Sequence, residues 1–185
     1  MKRCVRGGGG SCPAPQIRGR FPCRRGNDVL VAEGFIDNPV PEISIPMCTD
    51  PSTLGVLLPV TEAILSSTPS QLSVVSGGIQ TSTGGTFRIG AEAFVDIDPN
   101  GAIPLSRLRL VFVPSSGGGG VVVTETFFTP VESISAPAAG RAVFANIADV
   151  RGQPGRYELR ACTTNETGAE IDEYAQVTLS VLKTG

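Results

Sequence analysis

From about residue 70 onward, apolar side chains recur at every second position in short runs separated by turn residues. Residues 86–97 set Phe87, Ile89, Ala91 and Ala93 on one face. A period of two is the mark of a half-buried strand. Residues 105–113 alternate for part of their length, with Arg107 and Arg109 turned outward, and residues 121–128 and 141–147 follow as further strands. Residues 156–163 direct Tyr157, Leu159 and Ala161 inward. Asn165-Glu166-Thr167-Gly168 makes a turn, and residues 174–182 return. Six or seven such strands specify an all-β fold, a sandwich or a barrel.

Upstream the pattern is looser. Residues 29–32 and 42–45 read as extended, the second bracketed by Pro39, Pro41 and Pro46. Proline this dense disfavours a central strand and points to a sheet edge or a polyproline-like run. Residues 60–65 fit one or two turns of helix and a strand equally well. The expected organisation is an extended Gly/Pro/Arg/Cys-rich arm over 1–48, a connecting segment with room for a short helix over 49–77, and a sandwich over 78–185. On this reading the sandwich folds without the arm.

Charge divides the chain in the same place. The whole has 15 basic and 17 acidic residues, for a net charge of −2. Residues 1–26 hold seven of the cations (Lys2, Arg3, Arg6, Arg18, Arg20, Arg24 and Arg25) and no acid. The remainder therefore carries 8 basic and 17 acidic residues, a charge of −9. A cationic segment rich in Gly and Pro buries too little apolar surface to fold alone, so it is expected to be ordered by an anionic partner. Arg3, Arg6, Arg18, Arg20, Arg24 and Arg25 are the candidate partner-binding residues. The arm lacks the interleaved aromatics of single-strand binders, which disfavours nucleic acid.

The five cysteines lie at 4, 12, 23, 48 and 162. The first four lack the close C-x-x-C pairs by which one turn presents two thiolates to a metal. Cys4, Cys12, Cys23 and Cys48 are therefore candidates for disulfides, with zinc or an iron–sulfur cluster the less favoured staple. Cys162 shares the alternation phase of Glu158 and Arg160, so it faces away from the sandwich interior. It is a candidate to meet a cysteine of the arm or of a neighbouring molecule.

The chain has no His and no Trp, which removes Ser–His, Cys–His and His-ligated metal chemistry. Asp96, Asp98 and Asn100 match the first half of a calcium loop, but the position of the closing bidentate acid is Arg107. A turn is the favoured reading of that Pro-Asn-Gly stretch. Gly-rich segments 7–10 and 117–120 lack the Lys-Ser/Thr of a phosphate loop. No run approaches the ~20 apolar residues that span a bilayer. The first residues are charged and then glycine-rich, without an apolar signal stretch, so synthesis in a cytoplasm is expected.

Residues 155–168, GRYELRACTTNETG, resemble the penultimate strand and turn of bacterial and phage immunoglobulin-like domains. The resemblance covers roughly residues 78–182 and lacks the core Trp of antibody domains. It implies an immunoglobulin-like antiparallel β-sandwich, as found in tailed-phage capsid decoration (cement) proteins and accessory tail proteins. The expected function is a non-enzymatic structural virion protein without a cofactor, made in the host cytoplasm. Its expected partners are copies of itself and a major capsid or tail protein, with no membrane. A tail or baseplate accessory protein is the nearest alternative, and an extracellular or cell-surface binding module the alternative from another class.

Overall fold

The computed structural model describes residues 28–37, 39, 41–50, 52–67, 71–98, 103, 105–131, 139–164 and 168–185. In chain order the strands are β1 (Asp28–Asp37), β2 (Ile43–Ile45), β3 (Val56–Leu57), β4 (Glu62–Ser67), β5 (Leu72–Val75), β6 (Gly78–Thr81) and β7 (Gly85–Asp98). They continue with β8 (Ser106–Pro114), β9 (Val121–Phe127), β10 (Thr129–Pro130), β11 (Ala139–Arg151), β12 (Gly155–Thr163) and β13 (Ala169–Lys183). Among the described residues there is no α-helix. Two antiparallel sheets result. The first runs β10-β11-β7-β13-β1-β4, with β2 beside the start of β13. The second runs β5-β6-β12-β8-β9, with β3 beside β12.

The pairing is nested. β1 pairs with β13, β6 with β12, β7 with β11, and β8 with β9, each pair lying inside the last along the sequence and alternating between the sheets. One long hairpin wound around a core in this way is a jelly roll, which leaves few strand edges unpaired. This corrects the immunoglobulin-like expectation. In that fold the last two strands are sheet-mates, whereas here β12 lies in the second sheet and β13 in the first. Alternation shows that a strand has one buried side, and it is silent about which sheet the strand joins.

The side chains that period two turned inward do form the core. Phe87, Ile89, Ala93, Tyr157, Leu159 and Ala161 are wholly buried. Phe87 of the first sheet meets Tyr157 of the second edge-on at 5.4 Å between ring centroids, and Phe112 lies 5.1 Å from the same ring. The Tyr157 hydroxyl donates to Asp149 Oδ2 at 2.8 Å, and Arg151 donates to that same oxygen at 2.7 Å. Burial, and then the adjoining Asp149 carboxylate, push the Tyr157 phenol well above its ordinary pKa.

Two boundaries differ from the sequence expectation. Residues 28–37, assigned to the arm, form β1, which lies inside the first sheet between β13 and β4. Its inward side carries Leu30, Ala32 and Gly34. A Cβ at Gly34 would stand 2.4 Å from the carbonyl oxygen of Pro59, so the residue must be small for the chain to pack there. Residues 62–67, where a short helix was an option, form β4. The backbone hydrogen bonds available beside β1 decide between two conformers of similar local preference.

The sandwich therefore begins at β1. A chain shortened to start at residue 28 is expected to melt cooperatively. One starting at residue 78 loses Leu30, Ala32, Leu58, Val60 and Leu72 from the core, and is expected to aggregate or to show no thermal transition by near-UV circular dichroism.

Candidate functional site

The two outer faces of the sandwich differ sharply. On the second sheet, β12 turns Arg156, Glu158, Arg160 and Cys162 outward, and β8 turns Arg107, Arg109 and Val111 beside them. Glu158 is 0% exposed, and its oxygens accept from Arg156 Nε at 2.5 Å and from Arg160 Nε at 2.7 Å. On the other side, Arg109 Nε donates to Glu125 at 2.9 Å, and Arg107 pairs with the same carboxylate. Alternating signs on neighbouring strands make a ladder in which each acid is held by two guanidinium groups.

A strap formed by residues 46–50 and 52–58 closes this face. Its backbone bonds to both ends of the lower half of β12: Thr163 N–H donates to Pro46 O at 3.0 Å, and Leu58 N–H donates to Leu159 O at 2.9 Å. Between them the strap offers carbonyls to the ladder, Gly55 O to Arg160 Nη1 at 2.9 Å and Thr53 O to Arg109 Nη1. Gly55 has φ +97°, and a Cβ there would lie 2.4 Å from Ala161 O, so both conformation and space call for glycine. Cys48 is joined to Cys162 by a disulfide with a Cα–Cα separation of 5.6 Å.

The outer face of the first sheet is open. One row across it reads Phe35, Gln176, Phe94 and Arg141, register partners on β1, β13, β7 and β11. The next reads Glu62, Glu33, Thr178, Glu92 and Val143. Phe35 is 61% exposed and Val143 is 46% exposed. Phe94 stacks on Tyr174 with ring centroids 5.4 Å apart and 13° between planes. Arg141 pairs with Glu92 at 2.7 Å. At the β4 side a shallow cleft is lined by Glu33, Gly34, Phe35, Thr61, Glu62 and Gln176.

The candidate residues named from sequence fall as follows. Arg3, Arg6, Arg18, Arg20, Arg24, Arg25, Cys4, Cys12 and Cys23 lie outside the described residues. Cys48 is described, and its partner is Cys162 rather than another cysteine of the arm. Cys162 points away from the core as its phase requires, yet it is buried, because the strap covers it. β7 stays paired through Asp98, opposite Glu170, so Asp96 and Asp98 are strand residues rather than the opening of a calcium loop. Asn100 lies outside the described residues. Among the described residues no three acids or cysteines converge as a metal site. Sequence reasoning missed the buried Glu158. Its signal was an acid flanked by Arg at both i±2 positions, which one strand face must carry together.

No family model and no curated protein matches the chain. Solved structures that it resembles include the globular domain of zebrafish complement 1qA protein, with a TM-score of 0.50 at 7% identity, covering 86% of this chain and 98% of that one. Murine APRIL at pH 8.0 matches with a TM-score of 0.46 at 9% identity, over 85% of this chain and 99% of that one. The PRD1 vertex protein P5 matches with a TM-score of 0.45 at 19% identity, over 85% and 97%. The first of these likenesses agrees with a two-sheet sandwich.

Two expectations follow for the strapped face. Cys48→Ser is expected to lower the unfolding free energy by about 4–5 kcal/mol, the loop entropy of a bridge spanning over 100 residues, measured by denaturant titration against the oxidised parent. Glu158→Gln leaves two guanidinium groups facing each other without their acid and is expected to lower stability by about 3 kcal/mol, with unchanged far-UV circular dichroism.

Proposed function

We propose that this chain is a non-enzymatic structural subunit of a large assembly, most specifically a phage virion protein of the capsid-decoration type, anchored through its basic N-terminal segment. The observation that carries the reading is the open face of the first sheet. Exposed Phe35 and Val143 and the stacked Phe94–Tyr174 pair lie across its strands. A monomer with no partner rarely leaves aromatic side chains spread over a sheet face, whereas protein–protein contacts favour them. The intended partners are further copies of the chain and a capsid or tail protein. A tail or baseplate position would use the same surface. The charge split supports anchoring, since a +7 segment precedes a body of net negative charge.

The Cys48–Cys162 bond supports a second reading, an extracellular or cell-surface binding module, because such bonds persist in oxidising surroundings. A virion that has left its host meets the same conditions. The two readings part on self-association. In light scattering at roughly 100 µM protein, the full chain is expected to exceed monomer mass, and Phe35→Ser combined with Phe94→Ser to return it to monomer. A wild-type chain that is monomeric at that concentration would overturn the assembly reading and favour the binding module.

A further inference from the structure

β4 is the outermost strand of the first sheet beside β1, and among the described residues no strand pairs with its outer edge. Residues 61–66 are all exposed, with Ile64 at 52% and Leu65 at 56%. Folded proteins seldom leave a six-residue edge strand with exposed Ile and Leu bare. β10 is two residues long and contains Pro130, and β5 is four residues long; β9 is longer, but its acid, Glu125, is already held by Arg107 and Arg109. β4 instead sets Glu62 directly opposite Glu33 of β1. Like charges facing each other across strands are destabilising, and no described cation pairs with either.

We propose that residues 17–21 of a second copy, Ile17-Arg18-Gly19-Arg20-Phe21, add to β4 as an antiparallel edge strand. This rests on the self-assembling reading above and names the place where the basic segment anchors. The segment alternates apolar or small residues with arginine, as a strand requires. The antiparallel register that sets Arg20 opposite Glu62 brings a guanidinium group to the face on which Glu62 and Glu33 lie side by side. Gly19 then falls opposite Ala63, next to the extra residue Ile64 of the β-bulge between Leu65 and Ala63. Main-chain bonds supply the affinity of such strand addition, and the alternating side chains supply its selectivity.

The donor is a neighbour for a topological reason. A strand antiparallel to β4 runs parallel to β1, since β4 is itself antiparallel to β1. Within one chain, only residues 22–27 would join that strand to Asp28. Parallel strands need a crossover of roughly a dozen residues or more. Six cannot return past β4 to the start of β1.

The test uses the full chain with Arg20→Lys, mixed as isotopically light and heavy copies and coupled by a zero-length carbodiimide reagent. Mass spectrometry of peptides joining positions 20 and 62 is expected to show light–heavy pairs. Ile64→Pro, which removes a backbone donor from the edge, should abolish them while the thermal melt stays cooperative. Glu62→Arg in the parent should weaken association at least about fivefold, and adding Arg20→Glu should restore it. Joined peptides of a single isotope would overturn the exchange between copies. Absent 20–62 coupling in a chain that still associates would overturn the edge-strand site and leave the open-face assembly standing. A monomer throughout would overturn both.

Discussion

The pairing of β1 with β13 is the contact on which the rest of the fold depends. It joins residues 28–37 to residues 174–183 in one unbroken register. Every other pair of the nested series lies inside it along the chain. Until the two ends meet, Leu30 and Ala32 have no sheet to bury against, β4 has no strand to join, and the first sheet lacks two of its strands. Contacts of such long sequence separation are reached late, because the loop they close is entropically costly to draw together.

The strapped face shows how a charged surface becomes part of the interior. Guanidinium and carboxylate groups on β12, β8 and β9 neutralise one another beneath the strap, and two of the strap's carbonyls accept from Arg160 and Arg109. Buried charges are tolerable when each has partners of opposite sign and hydrogen bonds in reach. Glu158 meets both conditions. The outer face of the first sheet pairs Arg141 with Glu92 but sets Glu33 and Glu62 opposite each other, and it leaves Phe35 and Val143 exposed. That difference separates a face finished within the chain from one left open.

Much of the core was legible in the sequence because burial leaves a period-two trace. Phe87, Ile89, Ala91, Ala93, Tyr157, Leu159 and Ala161 were assigned inward from alternation, and all are buried. The direction of Cys162 was legible for the same reason. Its burial was not, because that depends on a strap more than a hundred residues away in sequence. The placement of β1 was hidden by its neighbours: the prolines after residue 37 and the arginines before residue 26 made the whole region look like a tail. Phe35 carried no signal of its own. An aromatic side chain in a strand reads as core unless the phase of Leu30, Ala32 and Gly34 is already known.

The position of Cys48 also has a mechanical consequence. A pull on the segment before residue 28, directed along the strand axis, loads the backbone bonds of β1 to β13 and β4 side by side, so they share the load instead of opening in turn. If β1 does slip out, the chain that can straighten ends at the covalent link to Cys162. The twenty residues between Asp28 and Cys48 then extend by at most about 70 Å, and the strands from β3 to β11 lie within the loop that the disulfide closes. The disulfide thus converts a tether that could unravel the sandwich into one of limited travel.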